Sequence, residues 1–296
     1  MTRENLSKLK IAVSMFLFGT IGIFVRHIGL PSSVIALARG IVGMAFLVLV
    51  LAVRRSSLDW KAVRQNLLWL LLSGAALGFN WILLFESYRY TSVAISTLCY
   101  YMAPILVILV SPVLLKEALS KKKLLCVLAA LAGMVCISGV LRSGIPSAGE
   151  LRGILLGLAA AVLYACVVLL NKQIHDIGAY DKTILQLGIS AVTLLPYCLL
   201  TVEPASVQPD AVALAMLLLV GVVHTGVTYL LYFGALDYIS GQTAAIMSYV
   251  DPVVAVLASV LVLREPMAMS EGIGAVLILG AALISETDLK RKRVRV

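Results

Sequence analysis

A lone carboxylate in the middle of a long apolar run is the first residue here that invites chemistry. Asp251 stands in SYVDPVVAVLASVLV, two residues after Tyr249 and directly before Pro252. A carboxyl group in such surroundings can exchange a proton or hold an amine. It can also act as a structural lock, paired with an arginine. Tyr100 and Tyr101 precede Pro104 in a similar run, CYYMAPILVILV. Each proline removes a backbone donor and frees the carbonyl four residues earlier, those of Ser248 and Tyr100. Pro104 and Pro252 are therefore candidate hinges whose freed carbonyls offer ligands. Asn80, Trp81, His224 and Arg39 complete the candidate substrate-binding or coupling set with Asp251, Tyr249, Tyr100 and Tyr101. His224 is a second candidate proton site, because an unperturbed imidazole titrates near neutrality; a neighbouring hydroxyl could equally satisfy it. Arg39 could meet a substrate carboxylate, or pair with Asp251 or Glu86 and fix the bundle. Together with Tyr164 and Tyr229, the aromatic residues suit a cavity for apolar or cationic solutes, or ordinary packing.

Only apolar helices can position these residues. Of 296 residues, 61% are hydrophobic and 13% charged, and the mean hydropathy is +1.03. Soluble domains are about 45–50% apolar and about 25% charged, so a sizeable soluble domain, a disulfide scaffold and a disordered chain are all excluded. A bilayer-spanning helix takes about 20 residues. Hydropathy and the punctuating charges give ten spans: 9–29, 32–53, 66–88, 91–115, 122–141, 151–171, 182–202, 210–234, 240–263 and 270–286. Asp251 then lies roughly 16 Å along the ninth helix, near the midplane. Long alternating strands are absent, which argues against a transmembrane barrel.

The net charge of +9 comes from short basic clusters between apolar runs, an orientation signal rather than a nucleic-acid footprint. With the N-terminus cytoplasmic, 18 Lys and Arg fall on that side and five on the other (Arg26, Arg89, Arg142, Arg152 and Arg264). Both termini are expected in the cytoplasm and the chain in the cell membrane, with the basic tail LKRKRVRV against anionic lipid. The five cysteines lie inside apolar runs without metal-ligand spacing, and neither a metal nor a cofactor is expected. The first apolar run lacks a small-residue cleavage site after it, so it is expected to remain as a helix.

The chain also repeats itself. Phe85–Glu117 lies over Phe233–Glu265 without a gap: Tyr90 meets Tyr238, Ser92 meets Ser240, Tyr101 meets Tyr249, Pro104 meets Pro252 and Glu117 meets Glu265. Five spans per half is an odd number, so the second copy enters the membrane from the opposite side. The expected fold is all-α, with residues 1–145 and 146–296 forming inverted five-helix repeats. Two near-equivalent halves can exchange conformations, which is the device of alternating-access carriers. Glu117 and Glu265 are expected to organise helix ends with nearby basic residues, outside the transport site.

Ten spans, the five-plus-five repeat, the ALARG stretch around Arg39 and the two proline-to-glutamate runs resemble the drug/metabolite transporter superfamily, EamA type. SYVDPVVAVLASVLVLREP carries the most recognisable part, and the similarity covers essentially the whole chain. The resemblance implies an ATP-independent carrier of amino acids, related metabolites or amphipathic drugs, with export favoured over uptake. Proton coupling is expected from Asp251, and no nucleic-acid partner is. Oligomeric state, direction and coupling stoichiometry stay open. The rival reading is an intramembrane hydrolase built on Ser73 and His224, although Leu71 stands where such a nucleophile motif wants glycine. A channel and a non-transporting scaffold are further rivals. The former usually assembles its filter from several subunits, and no soluble signalling segment supports the latter.

Overall fold

A computed structural model describes residues 2–25, 27–91, 96, 99–137, 151–262, 264 and 269–287. The helices are α1 (Arg3–Val25), α2 (Ser32–Val53), α3 (Trp60–Gln65), α4 (Leu67–Ser87), α5 (Ala103–Leu114), α6 (Lys121–Ile137), α7 (Leu151–Asn171), α8 (Ala179–Thr201), α9 (Ala211–Leu236), α10 (Gly241–Ser248), α11 (Val250–Val262) and α12 (Met269–Thr287). Among the described residues, seven helical runs are long and apolar enough to cross a membrane: α1, α2, α4, α7, α8, α9 and the α10–α11 run. The expected fourth, fifth and ninth spans extend over residues outside that description. So do Arg26, Ser92, Arg142, Glu265, the boundary at 145/146 and the basic tail.

Local chemistry moves several ends away from the hydropathy estimate. Helix α1 begins at Arg3 rather than residue 9, because the polar residues still form helical bonds. Asn5 N donates to Thr2 Oγ1 at 3.3 Å and Lys8 pairs with Glu4 at 3.2 Å. Helix α8 starts at Ala179, three residues before its expected start, with Asp181 and Lys182 buried. Hydropathy missed α3 altogether. Asp59 caps it, accepting from Lys61 N and Ala62 N at 3.1 and 3.0 Å, which satisfies orphan amides of the first turn.

Packing forms two groups. In one, α4 packs on α7 and α8, and α5 on α7; in the other, α1 packs on α9 and α11, and α2 on α9. The groups meet where α5 touches α10, where α8 crosses α2 and where α8 reaches the last turns of α9. Helices α6 and α12 pair with each other and lean on the α10–α11 run.

Without water outside, apolar burial gives helices little reason to associate, and close backbone approach does that work. A Cβ on Gly74 would lie 2.7 Å from Ile189 Cβ, and one on Gly78 would lie 2.9 Å from Ser190 O. This is the α4–α8 crossing. At the α9–α2 crossing, a Cβ on Gly221 would lie 2.5 Å from Val42 Cβ, and one on Gly226 would lie 3.2 Å from Gly43 O. The first pair is spaced by four residues and the second by five. The extra residue is absorbed by a π-helical stretch, Val220–Val227, whose wider turn returns both glycines to one face. Thr225 Oγ1 and Thr228 Oγ1 donate to the carbonyls of Val220 and Val223, each five residues back.

Gly74→Leu is expected to cost about 1–3 kcal/mol by overpacking and to lower the thermal midpoint in detergent by several degrees. A Cβ at Gly280 meets nothing within 4 Å, so Gly280→Ala is expected to leave the midpoint unchanged. Equal midpoints for the two variants would contradict the tight crossing.

Candidate functional site

Between the two helix groups lies a cavity of about 610 Å³. Its walls come from the last turns of α1 (Ile21, Val25), the first turns of α2 (Ser32, Ile35), the end of α4 (Leu84, Tyr88) and the middle of α11 (Ala255, Ala258). Those helix ends lie at the face carrying the α1–α2 turn, so the cavity extends toward that face. The opposite face carries α3.

The floor is built by two helix breaks. The regular helical ladder is interrupted at Tyr101 and Met102, although Met102 keeps right-handed helical angles (φ −70°, ψ −17°), and α5 starts at Ala103 with Pro104 in its first turn. Tyr249 marks a similar irregularity between α10 and α11, three residues before Pro252: its angles stay helical (φ −68°, ψ −8°), but its amide turns back to Ile246 O at 3.2 Å. Each proline stands three residues after one of these tyrosines, and the carbonyl four residues before it, of Tyr100 or Ser248, lies at the irregularity. The two breaks contact each other. Tyr249 Oη donates to Tyr101 O at 3.1 Å, and the rings stand 6.5 Å apart. Tyr101 Oη in turn donates to Asp251 Oδ2 at 2.8 Å.

Asp251, Tyr100, Tyr101, Trp81, Arg39 and Pro104 all reach the cavity wall, with Tyr164 and Tyr229. Arg39 does not lock onto either expected carboxylate. Its guanidinium lies over the Trp81 ring at 4.6 Å, and its buried Nε has no hydrogen-bond partner. Among the described residues no ion pair joins Arg39 to Asp251. Glu86 is held instead by Arg89 at 2.9 Å and by the Tyr197 hydroxyl at 2.5 Å. The cavity therefore has a carboxylate and a guanidinium not neutralised by each other, in an aromatic wall. Trp81 and Phe18 stand edge-on to Tyr229 at 6.2 and 5.1 Å, and Tyr100 tilts against Tyr164 at 5.5 Å.

Four expected residues lie elsewhere. Asn80 is fully buried behind the wall, donating to Ala160 O at 2.6 Å and accepting from Tyr100 Oη at 3.5 Å. It positions a wall tyrosine and does not reach the cavity. His224 lies outside the wall, its Nε2 3.3 Å from Thr20 Oγ1 and its ring against Phe24. Tyr249 is buried beneath the floor, and Pro252 behind it. Sequence reasoning missed Phe18, Tyr88 and Ser32, which line the cavity. One signal for Tyr88 was present, since it lies two turns beyond Trp81 on the same helical face.

The Ser73–His224 dyad does not form. Ser73 Oγ donates to Leu70 O and accepts from Gln186 Nε2 at 2.7 Å, and Gln186 also donates to Asn171 Oδ1 at 3.1 Å. Among the described residues, groups of acidic, histidine and cysteine side chains suited to a metal ion are absent.

Comparison with known proteins gives a consistent picture. The model of the EamA-like transporter family matches residues 6–139 and, separately, 151–287. Over 86% of the chain and 81% of its relative, the sequence is 31% identical to the uncharacterized transporter YxxF of Bacillus subtilis. It is 29% identical to an uncharacterized transporter of Archaeoglobus fulgidus, over 93% and 94% of the two chains. Protein PecM of Dickeya dadantii is 27% identical over 72% of each. A solved crystal structure superposes with a TM-score of 0.83 at 20% identity, covering 96% of this chain and 99% of that one.

A serine-directed fluorophosphonate is expected to leave Ser73 unlabelled in the native protein, since the hydroxyl is buried and bonded to Gln186. Stoichiometric labelling detected by mass spectrometry would contradict this arrangement.

Proposed function

Because the chain belongs to the EamA-like transporter family, we propose that it is a ten-span carrier built from two inverted five-helix repeats, residues 1–145 and 146–296. It moves small metabolites across the cell membrane by alternating access, coupled to protons, with both termini cytoplasmic. The transported class is amino acids, their relatives or amphipathic amines, and export is the favoured direction.

Several observations support the repeat. The family model matches twice. The helix breaks at Tyr101 and Tyr249 are 148 residues apart, as are Lys116 and Arg264, both left-handed with φ 54°. The two glycine crossings are equivalent in kind, α4 on α8 and α9 on α2. The excess of Lys and Arg on one set of loops supports the orientation, which makes the α3 face cytoplasmic and the cavity outward-facing.

One observation carries the reading of function: a cavity at two broken helices holds Asp251 and an Arg39 with an unpartnered buried nitrogen. A buried polar atom without a partner is costly, and a ligand carboxylate would satisfy it. Asp251 at the α10–α11 break offers the opposite pole, able to hold an ammonium group or release a proton. Charged groups within membrane spans belong to substrate and ion pathways. A zwitterion of amino-acid size fits both poles, and an amine with an apolar body fits Asp251 and the aromatic wall.

Purified protein in proteoliposomes, with an imposed pH gradient and an internal pH dye, tests this against a panel of amino acids and organic amines. Substrate-dependent proton movement is expected, falling at least tenfold in Asp251→Asn. Arg39→Gln is expected to raise KM for solutes bearing a carboxylate while sparing simple amines. Asp251→Asn with full, equally pH-dependent flux would end the coupling assignment. Solute flux without protons in the wild type would make the protein an uncoupled facilitator.

A further inference from the structure

Glu117 stands at a helix end, outside the cavity, yet its contacts cross between the two helix groups. Lys116 takes a left-handed turn at φ 54° after α5, and the Glu117 amide donates back to Ser111 O at 3.3 Å. This turn aims the carboxylate at the first turn of α10. Oε1 accepts from Gly241 N at 2.7 Å and Oε2 from Gln242 N at 3.1 Å, while Gln242 Nε2 donates to the Glu117 carbonyl at 3.1 Å. A helix N-terminus carries partial positive charge, and a carboxylate on two of its amides makes a strong, charge-assisted contact. Gly241 permits it, because a Cβ there would lie 2.8 Å from Leu115 Cδ1.

Three more polar ties lie at the same end, and two of them, from Lys172 and Lys182, cross between the groups. Lys123 Nζ donates to Gln242 Oε1 at 2.6 Å. Lys182, on α8, pairs with Asp237 at the end of α9 at 2.6 Å. Lys172, after α7, donates to the carbonyls of Leu236 and Ile239. Burial draws the Lys172 ammonium below its usual range, while Glu117 and Asp237 act in the opposite sense. At the cavity end Glu86–Tyr197 and Glu86–Arg89 stay within one group, and a weak thiol contact, Cys198 Sγ to Ser33 O at 3.5 Å, joins α8 to α2.

We propose that Glu117, clamped on the first amides of α10, is the central latch of a gate that seals the cavity from the α3 face, with Lys172 and Lys182–Asp237 beside it. The proposal rests on the alternating-access reading, since a latch has meaning only if the seal opens. Opening toward the α3 face requires α5 to part from α10, and so breaks both carboxylate contacts together. Glu117 is a positioning residue: it never touches the solute but sets which face the cavity addresses.

The test uses a Ser248→Cys reporter in the cavity wall, in a full-length chain whose five native cysteines are replaced. A membrane-impermeant thiol reagent is applied to spheroplasts or to inverted vesicles. With Glu117 present, the reporter is expected to react from the cavity face and to resist modification from the α3 face. Adding Glu117→Ala is expected to raise α3-face reactivity at least fivefold and lower it from the other side, and Glu117→Gln to give a smaller shift of the same sign. Glu4→Gln, which breaks only the Glu4–Lys8 pair, serves as the control and is expected to change neither rate. An unchanged side preference in properly assembled Glu117→Ala would overturn the latch.

A Leu115→Cys/Gly241→Cys pair tests it without replacing Glu117, since Leu115→Cys removes the Cδ1 that a Cβ at residue 241 would meet at 2.8 Å. Oxidation is expected to abolish flux and reduction to restore it, whereas equal flux in both states contradicts the gate. Labelling needs no substrate. A wild type that moves no solute while Glu117→Ala still switches sides would sink the transport reading and leave the latch standing.

Discussion

Inside a hydrocarbon layer a backbone amide or carbonyl has no water to turn to, so a chain that crosses it must satisfy each such group from within. Most of this protein does so by unbroken helix. Among the described residues that ladder loosens at Tyr101 and Tyr249, each three residues before a proline that supplies no amide. The rest of the architecture can be read as a response to those irregularities. Each tyrosine hydroxyl reaches across to the other interruption, one to a freed carbonyl and one to the carboxylate beyond it. The two breaks are mutually supporting, and the cavity sits where they are supported.

This arrangement divides labour among kinds of contact. Glycine crossings hold α4 to α8 and α9 to α2 with backbone against backbone, a short-range attraction that is lost after a shift of an ångström or so. The ties at the α3 face are polar and few. Hydrogen bonds of that kind are costly to leave unmade in an apolar medium but can be exchanged for water where water enters. A seal made of them opens onto solvent at modest cost, whereas a glycine crossing does not. The placement of polar ties at one end and glycine contacts deeper in the bundle therefore fits a body that rocks around fixed crossings.

Much of this was legible beforehand because it is written in spacing. Seven expected spans reappear as long apolar helical runs, and α7 matches its expected bounds of 151–171. Asp251, Arg39, Trp81 and the two adjacent tyrosines were identifiable because polarity in an apolar run is rare. What escaped depends on direction rather than identity. Asn80 and Trp81 are neighbours in sequence, but one helical step of about 100° turns the first to Ala160 and the second to the cavity. For His224 the alternative of a satisfying hydroxyl matches the structure, since Thr20 Oγ1 stands 3.3 Å from Nε2, but spacing could not say which helix would supply it. The partner of Glu117 is a pair of backbone amides, invisible to any search for complementary charges. Helix α3 was lost because six residues cannot register in a hydropathy window sized for a bilayer.

The π-helical stretch of α9 also settles a question of register. One extra residue carried by ordinary helix would rotate everything after it by about 100°. Tyr229 would then leave the cavity wall, and Tyr232 and Phe233 would leave the core beside it. Absorbed as one wide turn, the same residue changes the local pitch and leaves the later face where it was. The one extra residue between Gly221 and Gly226, against the four-residue spacing of Gly74 and Gly78, is thereby confined to eight residues. A helix can be lengthened in this way without redesigning every surface it meets downstream.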